Sequence, residues 1–174
     1  MTLKNGKALT IRKAEKGDAA EILAYCKQVG GESDNLLFGA EGLPYTTEQE
    51  AQMIDSVNNS HTSTFMVGVV DGKIISVATI FSPPRARIAH QGDIGMSVLK
   101  ANWGLGVGSH MMQALIDFAK NTGVTEVLHL QVRTDNINAI ALYKKYGFEQ
   151  IGLYPKFGKI DGVYNDDILM NLYL

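Results

Sequence analysis

The sequence predicts a single α/β domain, residues 1–174, in which helices cover both faces of a mixed, mostly antiparallel sheet. Asp71-Gly72 joins two β-rich runs, Thr64–Val70 and Lys73–Phe81, which is the pattern of a type I′ hairpin. The apolar strand that ends at Val98 leads through a glycine-rich loop into a helix and then another strand. A strand–helix–strand unit of this kind implies one parallel strand pair within the sheet.

The remaining elements follow from hydrophobic periodicity and from end signals. Asp18 is the expected N-cap of the first helix, Thr47-Glu-Gln-Glu50 reads as a capping box, and Gly147 ends the last helix. The other predicted strands are Ala8–Ala14, Ala86–Val98, Val127–Val132, Phe148–Gly158 and Val163–Tyr173, and the predicted helices are Asp18–Gly30, Thr47–Ser60, Val107–Asn121 and Ile137–Tyr146. The predicted order is therefore βααβββαβαββ.

Composition narrows the class of protein. A net charge of −2 argues against general nucleic-acid binding, and the longest apolar run, around Ile74–Phe81, is too short to span a membrane. The N-terminus lacks the apolar core of a signal peptide, and the single Cys26 excludes an internal disulfide, so we expect a cytoplasmic protein. No His, Cys, Asp and Glu cluster has metal-ligand spacing, so no metal is expected. The sequence leaves open whether the protein forms a homodimer.

The glycine-rich loop predicts an anion site. Three glycines, Gly104, Gly106 and Gly108, fall within five residues, directly before a helix. Glycines let the backbone approach a ligand closely, and the first turn of a helix has unpaired N–H groups that favour phosphate. The helix itself is indicated by one apolar face, formed by Val107, Met111, Leu115 and Phe118. The loop therefore points to a phosphate or pyrophosphate ligand.

The loop alone leaves three interpretations. A Walker A loop would need a lysine where Gly108-Ser109-His110 has none. A dinucleotide fingerprint would use Gly104, Gly106 and Ser109, but it belongs near the start of a domain and this loop lies past mid-chain. The third interpretation is a flexible turn between the strand and the helix that binds no ligand.

Two motifs together resemble the GNAT superfamily of acyl-CoA N-acyltransferases. The superfamily loop Q/R-x-x-G-x-G/A matches Trp103–Gly108, and the signature N-x-x-A-x-x-L-Y-x-K-x-G-F matches Asn136–Phe148. The motifs lie about 30 residues apart on the expected elements, and the order of elements agrees over nearly the whole chain. The resemblance implies a GNAT-type twisted sheet that is splayed between strands 4 and 5.

The resemblance also implies how acetyl-CoA would bind. The loop backbone would hold the pyrophosphate through Trp103, Gly104, Leu105, Gly106, Val107, Gly108 and Ser109. The strand end Met96-Ser97-Val98 would pair with the pantetheine arm, and the Val98 N–H would polarise the thioester carbonyl. Asn136 would hydrogen-bond the arm, and Tyr143 would protonate the departing thiolate. Trp103 departs from the family's Gln or Arg, so we expect it to pack against the fold.

The acceptor side is less defined by the sequence. An alkyl amine is mostly protonated at neutral pH and needs a base, but the fourth strand offers only His90 and Asp93 where family members often have Glu. Either could equally be structural. The acidic residues Glu32, Asp34 and Glu41 are either solvated loop charges or a lip that attracts a cationic substrate. Asp166 falls in a G-x-Y-x-D-x-x-x-M run, where it would hold the last strand or place negative charge near the amine.

The sequence therefore predicts an N-acetyltransferase that moves an acetyl group from acetyl-CoA to a primary amine, on a small molecule or a peptide, by direct attack in a ternary complex. The alternative is an inactive acyl-CoA-binding sensor or structural module with the same fold. Tyr143 favours the enzyme, and the missing Glu on the fourth strand keeps the sensor open.

Overall fold

A computed structural model describes all 174 residues and has the predicted order of elements. Short 3-10 turns occur at Lys16–Asp18, Ala86–Ile88 and Lys100–Asn102. The strands are β1 (Thr10–Lys13), β2 (Thr64–Val70), β3 (Lys73–Phe81), β4 (Gln91–Val98), β5 (Val127–Arg133), β6 (Glu149–Ile160) and β7 (Val163–Tyr173). The helices are α1 (Ala19–Gly30), α2 (Thr47–Asn58), α3 (Val107–Thr122) and α4 (Ile137–Lys145). None of these helices combines the length and apolarity needed to cross a membrane.

The seven strands form one sheet in the order β1-β2-β3-β4-β5-β7-β6. Every neighbouring pair is antiparallel except β4 and β5, which are parallel. That parallel pair extends over only three residues, with Gln91–Asp93 opposite Val127–His129. Beyond this point β4 stays paired with β3 and β5 stays paired with β7, so the two strands separate and leave a cleft. The predicted fold class and the splay between strands 4 and 5 are confirmed.

Two hydrophobic clusters lie on opposite faces of the sheet because side chains alternate along each strand. A cluster of 20 buried residues packs α3 and α4 against one face, which we call the α3 face. A cluster of 11 buried residues packs α1 and α2 against the other, the α1 face. In β2, for example, Met66 belongs to the first cluster while Phe65 and Val67 belong to the second. Helices on both faces are thus confirmed.

The Asp71-Gly72 turn has the conformation that its sequence predicts. Asp71 and Gly72 have φ of 50° and 76°, the two positive values that a type I′ turn requires. Gly92, within β4, marks a close approach, because a Cβ there would lie 2.8 Å from Ile80 Cγ2 and 3.0 Å from Leu128 Cδ2. β5 can therefore lie close to β4 at this level.

β4 begins later than predicted. Its ladder with β3 ends where Phe81 pairs with Asp93, and Pro83 and Pro84, which follow β3, have no N–H to extend it. The segment Ala86–Ile88, predicted as strand, instead forms a 3-10 turn.

Two predicted caps are also corrected. The capping box of α2 starts at Thr46 instead of Thr47: Thr46 Oγ1 accepts from Gln49 N–H at 3.2 Å, and Gln49 Oε1 accepts from Thr46 N–H at 2.8 Å. The sequence analysis chose Thr47 and Glu50, but Thr46 and Gln49 form the same pattern one residue earlier. Asp18 occupies the N-cap position of α1 as predicted, but its side chain makes no capping hydrogen bond, because the carboxylate accepts from Glu15 N–H at 2.7 Å and pairs with Arg12.

Glu50, predicted to belong to that capping box, is buried instead. Only 1% of its surface is exposed, and neither carboxylate oxygen has a hydrogen-bond partner. Burial raises the pKa of Glu50, and burial together with the nearby Glu50 raises the pKa of Cys26 to about 11. Cys26 is therefore the inert core thiol that the sequence predicted.

Candidate active site

The cleft between β4 and β5 exposes one edge of β4. Leu99 N–H donates to Ile75 O at 3.0 Å, so Leu99 faces β3. Because N–H groups alternate in direction along a strand, Ser97 also faces β3, and the amides of Met96 and Val98 face the cleft. These two amides are the groups that the sequence analysis assigned to an extended ligand arm.

Side chains fix this strand end from both faces. Met96 and Val98 pack against the α3-face cluster. Ser97 lies on the α1 face, where its hydroxyl is 2.9 Å from Tyr25 Oη. The Ser97 carbonyl also accepts a hydrogen bond from Ser76 Oγ at 2.7 Å. The exposed edge of β4 is thus held rigidly, although no strand pairs with it.

The glycine-rich loop forms the open end of the cleft. Gly104 and Gly106 have φ of 74° and 98°, in the region that favours glycine, and α3 begins directly afterwards at Val107. The first helical hydrogen bond joins His110 N–H to Gly106 O at 3.1 Å. The amides of Val107, Gly108 and Ser109 therefore have no partner within the helix, and the first turn carries no acidic residue. These unpaired amides are the groups that the sequence analysis assigned to an anion.

Trp103 does not pack into the fold as expected. The residue remains 45% exposed, and its indole N–H donates to the Val98 carbonyl at 2.7 Å. The indole therefore connects the glycine-rich loop to the end of β4 through this hydrogen bond. Sequence reasoning missed this bond because it joins a side chain to a backbone carbonyl across a turn.

The first turn of α3 lies against the C-terminal half of α4. Tyr146 donates from its hydroxyl to Ser109 O at 2.7 Å. A Cβ on Gly108 would lie 3.3 Å from Leu142 Cδ2, so only glycine allows this approach without displacement of the neighbour. At the start of α4, Asn136 Oδ1 accepts from Ala139 N–H at 3.3 Å, so Asn136 is the N-cap of this helix.

Tyr143 of α4 lies in the buried cluster on the α3 face. It belongs to the same cluster as Leu130 and Val132 of β5, and Met96 and Val98 pack against that cluster. Its hydroxyl makes no hydrogen bond to another protein group, and 8% of the residue is exposed. Burial raises the pKa of Tyr143 to about 12, so the phenol stays protonated at neutral pH and is available as a donor.

On the opposite face, Asp93 is paired with a residue that the sequence analysis did not select. His129 Nε2 lies 2.5 Å from Asp93 Oδ1, and the hydrogen bond to this carboxylate raises the pKa of His129 against the effect of burial. The alternation of His129 with Leu128 and Leu130, both buried, was a usable signal that the imidazole faces away from the core. His90, the other predicted base, lies just before β4, and its backbone carbonyl accepts from Val127 N–H at 3.1 Å at the start of β5.

A polar cavity of about 540 Å³ lies between the α1–α2 loop and the β6–β7 hairpin. Four carboxylates and one guanidinium line it, from Asp34, Asp135, Asp161, Asp166 and Arg133. The Arg133 guanidinium is hydrogen-bonded within the protein: it donates to both carboxylate oxygens of Asp135 at 2.9 and 2.7 Å and to the backbone oxygen of Asp34 at 3.1 Å. The cavity therefore has a surplus of negative charge.

The predicted acidic residues divide into two groups. Glu32 and Glu41 accept hydrogen bonds from backbone N–H groups, of Lys100 at 2.6 Å and of Gly39 at 2.8 Å, so they brace loops. Asp34 and Asp166 line the cavity, and Asp166 Oδ1 also accepts from Lys156 N–H at 2.7 Å.

Asp167, which follows Asp166, was missed by sequence reasoning. It is only 5% exposed, it pairs in register with Arg133, and burial raises its pKa. A smaller cavity of about 130 Å³ lies beside it.

Comparison with known proteins defines the class. Residues 34–148 match the model of the Acetyltransferase (GNAT) family, and the chain belongs to this family. The family and the fold that the sequence predicted are therefore confirmed.

One similar protein is the L-amino acid N-acetyltransferase AaaT of Escherichia coli (strain K12), which is 34% identical over 105 residues. The match covers 60% of this chain and 65% of AaaT, slightly less than two thirds of that protein. An N-alpha-acetyltransferase of Sulfurisphaera tokodaii is 28% identical over 158 residues, which cover 85% of this chain and 84% of that protein. These relatives are named for different acceptors.

Solved structures agree with the fold. The GNAT-family acetyltransferase from Streptococcus pneumoniae superposes with a TM-score of 0.94 at 30% identity, covering 96% of this chain and 100% of that one. The structure of yncA from Salmonella typhimurium with its cofactor acetyl-CoA has a TM-score of 0.83 at 21% identity, over 96% of this chain and 94% of that one.

Proposed function

We propose that this protein is an N-acetyltransferase that transfers an acetyl group from acetyl-CoA to a primary amine by direct attack in a ternary complex. The observation that carries the proposal is the cleft between β4 and β5, open at the end where α3 begins. The cleft has free strand amides along one side and free helix amides at its mouth. It therefore offers one hydrogen-bonding surface for an extended arm and one for a pyrophosphate.

The residues present fit acetyl-CoA. The unpaired amides of Val107, Gly108 and Ser109 would hold the pyrophosphate, helped by the dipole of a 16-residue helix. The edge amides of Met96 and Val98 would bind the pantetheine arm as an added strand. An arm long enough to pass Val98, the residue that the sequence analysis assigned to the thioester carbonyl, would bring that carbonyl to the deeper edge amide of Met96, which would polarise it. The Asn136 side-chain amide would bind the arm from the far side.

Tyr143 would supply the proton that the leaving group needs. As the amine nitrogen forms its bond to the carbonyl carbon, the carbon–sulfur bond breaks and the thiolate takes the phenolic proton. The position of Tyr143 in the cluster that borders both strands supports this role, as does its raised pKa. No nucleophile is available for a covalent intermediate, since Cys26 is buried with a raised pKa. Direct transfer follows.

The acidic cavity supports a cationic acceptor. Asp34, Asp161 and Asp166 would raise the local concentration of a protonated amine next to the cleft. The named relatives act on L-amino acids in one case and carry the name N-alpha-acetyltransferase in another, so both free amino compounds and peptide N-termini belong in the search for the acceptor.

The test is release of CoA thiol from acetyl-CoA with a panel of amines: polyamines, aminoglycosides, amino acids, peptides with free N-termini and lysine peptides. We expect at least one amine to accelerate CoA release well above the rate of acetyl-CoA hydrolysis, with the acetylated amine detected by mass. An acyl-CoA sensor would bind acetyl-CoA and release none with any amine, and that result would overturn the proposal.

A further inference from the structure

We propose that His129 is the base that removes the proton from the attacking amine, and that Asp93 is the positioning residue that orients its imidazole. This inference rests on the proposed acetyltransferase function and assigns a role that its chemistry leaves open. Neither His129 nor the pairing of these two side chains was predicted by the sequence analysis, which considered Asp93 and His90 separately.

The position of the pair supports the assignment. Asp93 and His129 are opposite each other in the last register pair of the parallel ladder, immediately before β4 and β5 separate. A ligand arm that enters at the mouth of the cleft and follows the free edge of β4 runs from Val98 toward Ile94. A pantetheine arm has about as many backbone atoms as four residues of extended chain, or roughly 13 Å. Its thioester end would therefore reach the level of Ile94, next to the Asp93–His129 pair.

The two faces of the sheet separate the acid from the base. Leu128 and Leu130 are buried on the α3 face, which is also the face of Tyr143. His129 lies between them in the strand, so its imidazole is on the α1 face, where 34% of the side chain is exposed. An amine that attacks from the α1 face would meet His129, while the thiolate would leave toward Tyr143. Proton removal and proton donation can then occur without the two groups interfering with each other.

The pairing also selects which ring nitrogen is reactive. His129 Nε2 is hydrogen-bonded to Asp93 Oδ1 at 2.5 Å, which leaves Nδ1 as the nitrogen that can accept a proton. When the C–N bond forms, the ammonium proton would move to Nδ1, and the resulting imidazolium would be stabilised by the Asp93 carboxylate. The groups that face His129 from neighbouring strands are Asp93 on β4 and Asn171 on β7, with Tyr173 on β7 one register step away. Asp93 is the one among them that contributes to the raised pKa of His129.

The experiment is the pH dependence of kcat with both substrates saturating, so that the profile reports groups in the ternary complex. In the native protein kcat should rise with pH through a pKa above the ordinary histidine value. His129→Gln should lose this ascending limb and about 10²-fold or more in kcat at its plateau, within the range for losing a general base. Asp93→Asn should shift the limb to lower pH, because the charge that raises the histidine pKa is gone.

A second acceptor separates a base from a structural ion pair. An amine whose pKa lies below neutrality is already deprotonated, so His129→Gln should lose much less kcat with it than with an alkyl amine. His61→Gln is the matched control, since His61 contacts Thr122 O at the far end of α3 and should keep the native profile. Melting temperatures of all three variants report folding.

The outcomes distinguish the two proposals. If the native protein acetylates no amine, the acetyltransferase function fails and the base assignment falls with it. If the native protein is active and folded His129→Gln keeps the native pH profile and the native ratio between the two amines, only the base assignment is overturned. If Asp93→Asn leaves the limb where it was, the positioning role of Asp93 is overturned.

Discussion

Tyr143→Phe separates catalysis from stability, because the phenol that would act as the acid makes no hydrogen bond to the protein. The ring packs against Phe148 in a tilted arrangement, with centroids 5.8 Å apart, and the substitution keeps the ring. Removing an unpaired hydroxyl loses no hydrogen bond, so the free energy of unfolding should change by less than about 0.5 kcal/mol. The affinity for acetyl-CoA should also stay nearly constant.

The catalytic effect should be much larger. Losing a general acid typically costs ~10²-fold or more in kcat, which corresponds to about 2.7 kcal/mol in the barrier. The assay is CoA release under saturating substrates, together with single-turnover measurements that separate chemistry from product release. The loss should shrink with an acyl donor whose thiol has a much lower pKa, because that leaving group needs no proton.

Tyr146→Phe provides the matched control on the same helix. Tyr146 donates to Ser109 O at 2.7 Å, so its variant should lose about 1 kcal/mol of stability and keep most of kcat. The two variants should therefore show opposite patterns. A folded Tyr143→Phe protein with full kcat on acetyl-CoA would refute the reasoning that assigns the acid.

Two further predictions concern charge. Asp34→Asn and Asp161→Asn should each raise the KM of a cationic acceptor and weaken its salt dependence, while leaving the KM of acetyl-CoA unchanged. The control is Asp71→Asn, in the Asp-Gly turn between β2 and β3, which should change neither KM. Equal changes in both KM values would count against a role of the acidic cavity in acceptor binding. Because burial raises the pKa of Glu50 in the folded state, the folded protein keeps a proton that the unfolded chain releases above about pH 4.3, so this group makes stability fall as pH rises above that value. Glu50→Met should therefore stabilise the protein by about 1–3 kcal/mol at neutral pH and by less at pH 5, measured by thermal unfolding. The control is Glu48→Gln at an exposed position, which should show no such pH-dependent gain in stability. A Glu50→Met protein that is less stable than the native protein at pH 8 would show that the Glu50 carboxylate has a favourable partner.

The features that the sequence predicted well are encoded locally. The Asp71-Gly72 turn and the glycine loop before α3 depend on residues that are neighbours in the chain, so their conformations could be read directly. The roles of the Gly104–Ser109 loop, Asn136 and Tyr143 in binding and catalysis stay predictions.

The features that the sequence analysis missed depend on the register in which distant strands pair. Asp93 meets His129 because β4 and β5 pair over three residues and then separate, and no local pattern specifies that pairing. In the same way, β7 places Asp167 opposite Arg133, so Asp167 is the buried carboxylate, while Asp166 accepts a hydrogen bond from Lys156 N–H of β6.

Calorimetric titration of acetyl-CoA into three proteins tests the central claim most directly, namely that the first turn of α3 binds the pyrophosphate. Gly106→Asp would place bulk and negative charge at the unpaired amides, while Gly123→Asp makes the same change at the other end of α3, where φ is also positive. The native protein and folded Gly123→Asp should bind with similar affinity, and folded Gly106→Asp should bind at least tenfold more weakly, a loss of about 1.4 kcal/mol. Equal affinity in all three would contradict the claim.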